Sequence, residues 1–154
     1  MGAYMNISTK ARYGLRALID LAVHTTGEQV PLAYIAARQE LSVNYLEQVF
    51  SLLKKAGIVR SVKGSQGGYI LVKRPDEITV GQVIRAIEGE ISIVEDDLPI
   101  GNSLLYDNLQ QCLKERVWEP INQSICEVID HITLEQLVRD YQILGQENAG
   151  MYYI

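Results

Sequence analysis

Leu15, Leu18, Ile19, Ala22 and Val23 recur three or four residues apart, which places them on one face of a helix between Ser8 and Thr25. Ser8 or Thr9 can cap its start, and Gly27 stops it. The stretch "VPLAYIAARQEL" (30–41) predicts a short second helix with Pro31 in its first turn. After "SVN", the stretch "YLEQVFSLLKKAG" predicts a third that ends at Gly57, with Ser42 as its N-cap. The period then changes from helical to alternating. "IVRSVK" (58–63) and "YILVK" (69–73) are strands joined by "GSQGG", a hairpin. Thr79 and Gln82 have capping-box spacing and open a helix that reaches Glu88.

Beyond Glu88 the pattern breaks, and residues 91–106 read as a loop that contains the acidic trio Glu95, Asp96 and Asp97. A long apolar stripe follows at Leu109, Leu113, Val117, Ile121, Ile125, Val128 and Ile132. Pro120 lies inside the stripe, so the helix must kink or restart there. Thr133 and Gln136 repeat the capping-box spacing and open a last helix, closed by Gly145 and followed by a loose polar tail. The fold class is mainly α with a small β wing. Two short helices with a tight turn, then a hairpin, give the order of a winged helix-turn-helix.

Charge sharpens this picture. The net charge is −5, yet residues 1–74 carry ten Lys and Arg against four Asp and Glu, and residues 75–154 carry four against fifteen. One half is built to meet an anion and the other is not. On the third helix, Leu46, Val49, Phe50 and Leu53 share one face, and Asn44, Glu47 and Gln48 fall opposite, beside Ser42 at the N-terminal end. Gln and Asn can pair bidentately with adenine, and Glu accepts from the cytosine amino group. A plain solvated face is the alternative for these four residues alone. The wing "KGSQGGY" shifts the balance, because a glycine-rich tip with Lys63, Gly64, Ser65 and Gln66 can approach phosphates closely. Lys10, Arg12, Arg16, Lys54 and Arg60 add cations for the backbone.

Two cysteines, Cys112 and Cys126, make no disulfide framework and fit a reducing cytoplasm. No apolar run approaches the ~18 residues of a membrane span, so no membrane partner is expected. No nucleophile–base pair, phosphate-binding helix start or paired carboxylates point to an enzyme. The acidic trio could hold a hard cation, but a solvated loop is the better reading. His24 and His131 are too scattered for a metal pair, so no metal is assigned.

The motifs "ISTKARYGLRAL", "LSVNYLEQVFSLLKKAGIVRSVKGSQGGYIL", "ITVGQVIRAIEG" and "ITLEQL" resemble those of the Rrf2 family, bacterial winged-helix transcription factors that include iron–sulfur cluster regulators. The resemblance runs nearly the whole length. It implies a homodimer on double-stranded DNA, with the long helix as the dimer seam. Its DNA-contacting positions fall here on Ser42, Asn44, Glu47, Gln48 and the wing at Lys63, Gly64, Ser65 and Gln66, and Lys10, Arg12, Tyr13 and Tyr45 complete the candidate DNA-binding set. The implied domain map is a winged helix-turn-helix over 1–90, a loop over 91–106, a dimerisation helix and C-terminal helix over 107–145, and a flexible partner-binding tail over 146–154.

One departure matters. Cluster-bearing members of the family have three cysteines in and just after the loop before the long helix, and here only Cys112 occupies such a place. One thiolate per subunit is too few for a cluster, so no cofactor is expected. A cluster or redox sensor using Cys112 is the alternative function, and a regulatory subunit acting through the acidic half is a third. Within the family, "YLEQ", "GGY", "EGEISIVE" and an ending on Tyr-Ile resemble the cluster-free repressor of cysteine metabolism. That likeness implies cysteine synthase (O-acetylserine thiol-lyase) as a partner. The stretch "GMYYI" resembles the peptide by which serine acetyltransferase docks there, which makes Tyr152, Tyr153 and Ile154 the candidate partner-binding residues. Self-docking of Tyr152 or Tyr153 on the dimer is the competing expectation.

Overall fold

The computed structural model describes residues 6–94 and 104–151. Helix α1 (Thr9–His24) begins where the Ser8 hydroxyl accepts the Ala11 N–H, and α2 (Leu32–Gln39) starts behind Pro31, which is the N-cap rather than a first-turn residue. Helix α3 (Val43–Lys55) is capped by the Ser42 hydroxyl, which accepts the Tyr45 N–H at 3.1 Å. Its end is a Schellman motif: Gly57 takes φ +76°, its N–H reaches the Lys54 carbonyl, and the Ile58 N–H reaches that of Leu53. The α2–α3 turn uses the same hydrogen-bond pattern, but Glu40 stands at the left-handed position with φ +56°.

Strands β1 (Val59–Val62) and β2 (Gly68–Leu71) pair antiparallel, Val59 opposite Leu71. A third edge comes from the α1–α2 connection. Val30 and Tyr69 exchange two backbone hydrogen bonds of 2.9 Å, so the wing is fastened to the base of α2. Gly68 permits that approach, since a Cβ there would lie 2.4 Å from the Val30 carbonyl group.

Helix α4 (Val80–Glu88) has the expected capping box, Thr79 with Gln82, and its packing closes the winged head. Its Ile87 sits where a Cβ on Gly14 of α1 would fall, so α1 and α4 pack closely. The core of the head is Leu18, Leu21, Ile35, Leu46, Val49, Phe50, Leu53, Ile78 and Val83, all essentially removed from water. The stripe Leu46, Val49, Phe50 and Leu53 is the buried face of α3, as its spacing predicts.

The long helix begins at Leu104, so residues 104–106 are helical where a loop is expected. It comprises α5 (Leu104–Leu113), a π-helical turn (Lys114–Trp118) and α6 (Glu119–Asp130). Backbone angles stay helical through Leu113, Trp118 and Glu119. Pro120 therefore neither breaks nor restarts the helix. The wider turn just before it takes up the carbonyl that its ring would otherwise strike. Helix α7 (Leu134–Met151) also departs from expectation, for it runs through Gly145. A mid-helix glycine costs only about 1 kcal/mol relative to alanine, too little to end a helix with favourable residues on both sides. Residues 146–151 are thus helical rather than a loose spacer. Tyr152, Tyr153 and Ile154 lie outside the described residues, as do Glu95, Asp96 and Asp97.

The head and the long helix meet at one junction. Thr79 and Thr133 form an antiparallel bridge, with the Val80 N–H donating to the Ile132 carbonyl at 2.9 Å and the Leu134 N–H to that of Ile78 at 2.8 Å. Nearby, Asn122 of α6 accepts the Ile93 N–H at 2.9 Å. Leu134 is buried in the head's core, so α7 starts inside it.

Candidate nucleic-acid interface

Three elements of the head present the predicted residues. Burying one face of α3 leaves Ser42, Asn44, Glu47 and Gln48 exposed at and near its N-terminal end. None of Asn44, Glu47 and Gln48 spends its side chain on a protein hydrogen bond among those described, so all three can face a ligand. Tyr45 is half-buried, and its ring meets that of Tyr13 edge-on with centroids 6.1 Å apart. Arg16 lies over the Tyr13 ring at 5.0 Å, and its guanidinium donates to the Gln39 backbone carbonyl at 3.1 Å. Helix α1 is thereby locked against the turn that launches α3. On α1, Arg12 is exposed and donates to the Thr9 hydroxyl at 3.1 Å, and Lys10 is half-buried.

The wing tip exposes Lys63, Gly64, Ser65 and Gln66. Gly64 has φ +123°, a conformation L side chains rarely adopt, and its carbonyl accepts the Gly67 N–H at 3.0 Å. Gln29 donates to the Gln66 carbonyl at 2.7 Å and ties the tip to the α1–α2 connection. Sequence reasoning missed Gln29, because two polar loop residues 37 positions apart leave no local signal. At the wing's base, the Tyr69 ring packs tilted against Phe50 with centroids 4.9 Å apart. Burial raises the Tyr69 hydroxyl's pKa, and the negative charge of Glu47 adds to the rise. Wing and α3 are therefore neighbours, not independent arms. Lys54, at the far end of α3, donates to Ser61 of β1 at 3.0 Å.

Behind this surface lies a second network that the sequence hid. Asp20 of α1 is 5% exposed, yet it accepts two contacts from the Arg38 Nε, at 3.1 and 3.0 Å, and one from Nη2 at 2.7 Å. Gln39 adds a fourth at 2.8 Å, and His24 lies 3.3 Å away. The carboxylate raises the Arg38 pKa through its hydrogen bonds. Asp20 thus joins α1 to α2, and Gln39 carries the connection on to Arg16.

The donor set does not fit a thiolate-bound metal cluster. The chain has two cysteines, Cys112 exposed on α5 and Cys126 half-buried on α6. Fourteen residues of helix put them roughly 20 Å apart. Among the described residues no group of three or more His, Cys, Asp or Glu side chains is placed to hold a metal ion. Nor is any described helix long and apolar enough to cross a membrane.

Comparison with known proteins agrees with this geometry. The Rrf2 family model, described as an iron-dependent transcriptional regulator, matches residues 7–140. The transcriptional regulator CymR of Bacillus subtilis is 41% identical over 150 residues, covering 97% of this chain and all of that protein. The regulator IscR of Pectobacterium atrosepticum is 37% identical, covering 92% and 84%. Among solved structures, CymR, the global cysteine regulator of B. subtilis, superposes with a TM-score of 0.71 over 87% of this chain and 96% of that one. IscR of T. potens, 40% identical, gives 0.62 over 88% of each. These relatives are transcriptional regulators, not enzymes. With its winged head and a family match over residues 7–140, the chain belongs to the Rrf2 family of winged helix-turn-helix transcriptional regulators.

Proposed function

We propose that this regulator binds operator DNA as a homodimer, represses genes of cysteine and sulfur metabolism, and is controlled through cysteine synthase. The observation that carries the DNA reading is the shared exposure of Asn44, Glu47 and Gln48 on α3 together with the exposed Lys63–Gln66 wing tip and Arg12. In this arrangement Ser42, Asn44, Glu47 and Gln48 read base edges in the major groove, while Tyr13, Tyr45, the α1 cations and the wing hold the phosphates. The dimer reading is supported by the apolar stripe on α5 and α6. Leu105 is 80% exposed, Leu109 60% and Val128 61%, a row too greasy to leave in water. The sulfur reading is supported by the likeness to CymR, the global cysteine regulator of B. subtilis.

Cysteine synthase is the proposed partner, with Tyr152, Tyr153 and Ile154 as the docking peptide. The two tyrosines would serve as the aromatic anchors of such a docking peptide. The test is duplex binding across salt concentrations. With several phosphate contacts, affinity should fall steeply with salt, and Lys63→Glu should weaken binding and flatten the slope by about one contact or more. Binding that is salt-insensitive and indifferent to Lys63→Glu defeats the DNA surface. Deleting Ile154 should abolish cysteine synthase binding and leave dimerisation intact; unchanged affinity rejects the partner assignment.

A further inference from the structure

The junction between head and long helix is held by more than the Thr79–Thr133 bridge. Arg85 of α4 donates through Nη1 to one carboxylate oxygen of Asp130 at 2.6 Å and through Nη2 to the other at 2.9 Å. Asp130 is the last residue of α6, and 45 positions separate the pair. The bidentate fork fixes both distance and angle, which a single contact does not. Space for it is built in. A Cβ at Gly81 would fall 1.9 Å from the nearer Asp130 oxygen, so α4 is bare where the carboxylate enters. The Arg85 pKa is raised, chiefly by these hydrogen bonds to Asp130 and less by Cys126, one helical turn before it. Glu90 stands at 4.0 Å.

The rest of α4 is committed to the head. Ile87 packs where Gly14 of α1 leaves room, and Val83 and Ile84 are buried. The pair therefore joins two rigid parts, and neither partner belongs to the DNA-facing surface.

We propose that the Arg85–Asp130 pair is a positioning latch that sets the orientation of the winged head on the dimerisation helix, and so the operator half-site spacing that the dimer accepts. The proposal rests on the homodimer reading above. Two heads bind one duplex cooperatively only if their separation and twist match the DNA, and a loosened joint lowers the effective concentration of the second head. Because Asp130 and Arg85 touch no DNA in this scheme, cutting the latch leaves the contacts of a single head intact.

The experiment uses full-length protein and a palindromic duplex selected by the wild-type chain from a random pool. Affinity is measured for that duplex, for versions with one or two base pairs inserted or removed at its centre, and for a single half-site. The variants are Arg85→Ala and Asp130→Ala, with Asp130→Asn as the conservative change. Sedimentation gives the oligomeric state, and circular dichroism the folded content. Wild type should lose about tenfold or more on changing the spacing, and the alanine variants should lose only about threefold, with half-site affinity and dimerisation unchanged. Asp130→Asn should fall between. A wild-type spacing profile in folded Arg85→Ala and Asp130→Ala overturns the latch, as does an equal loss on the single half-site. A wild-type protein that binds as a monomer overturns the dimer reading, and the latch falls with it.

Discussion

Replacing Gly68 with alanine tests whether the wing is structurally part of the helix-turn-helix. A Cβ at this position would lie 2.4 Å from both the carbonyl carbon and oxygen of Val30, and 2.7 Å from the Pro31 nitrogen. All three are backbone atoms, so no side-chain rotation relieves the clash. The α1–α2 connection must move away, and the two Val30–Tyr69 hydrogen bonds of 2.9 Å go with it. Two lost backbone bonds cost about 1–3 kcal/mol. Residual crowding adds about 1–3 kcal/mol, and the stiffer unfolded chain returns about 0.5–1 kcal/mol. The expected net loss is about 1–5 kcal/mol, centred near 3. Gly64→Ala is the control. It meets nothing within 4 Å but must hold φ +123°, so its cost is backbone strain alone, about 1–3 kcal/mol. Urea unfolding of both variants gives the two numbers. If Gly68→Ala melts within about 0.5 kcal/mol of wild type, close approach is not what this glycine provides.

Three other outcomes are expected. Glu40→Gly should stabilise the head by about 0.5–1 kcal/mol in the same urea assay, because the residue already holds φ +56° and glycine relieves it; destabilisation would mean the side chain does something there that its exposure hides. Asp20→Ala should cost about 2–3 kcal/mol, since it removes a buried acceptor of hydrogen bonds from Arg38 and Gln39; a loss below about 0.5 kcal/mol would contradict that role. The pH dependence of stability should carry a contribution from Asp130, whose pKa is lowered below 3.8 chiefly by its hydrogen bonds to Arg85. A depressed carboxylate stabilises the fold above its unfolded pKa and loses that contribution as pH falls through the folded value. Asp130→Asn should therefore shallow the decline of stability below about pH 4, and identical acid limbs would exclude the linkage.

What the sequence made legible was whatever depends on neighbours in the chain. Ser42 before an apolar stripe, the Thr–Gln boxes at 79–82 and 133–136 and the alternation around "GSQGG" each concern residues within a few positions, and each forms as its spacing predicts. The exposed face of α3 was readable for the same reason, because burying Leu46, Val49, Phe50 and Leu53 decides which residues of α3 are left outside. Contacts between distant segments were not readable. Asp20 looks like one more polar residue on an amphipathic helix until α2 brings Arg38 and Gln39 against it. The Val30–Tyr69 pairing joins positions too far apart for any turn signal. Gly145 shows the opposite error, where a local stop signal is weaker than the helix around it.

The π turn before Pro120 also resets helical phase. Leu105, Leu109, Leu113, Val117, Ile121 and Ile125 step by four, and on an α-helix each such step drifts about 40° around the axis. Left uncorrected, the two ends of the row would face different directions. The extra residue absorbed between Lys114 and Trp118 takes back about a quarter turn, midway along. Removing one residue there would make a more regular helix and a more twisted apolar row. The irregular turn acts as a vernier that keeps two apolar half-rows on one side of the helix.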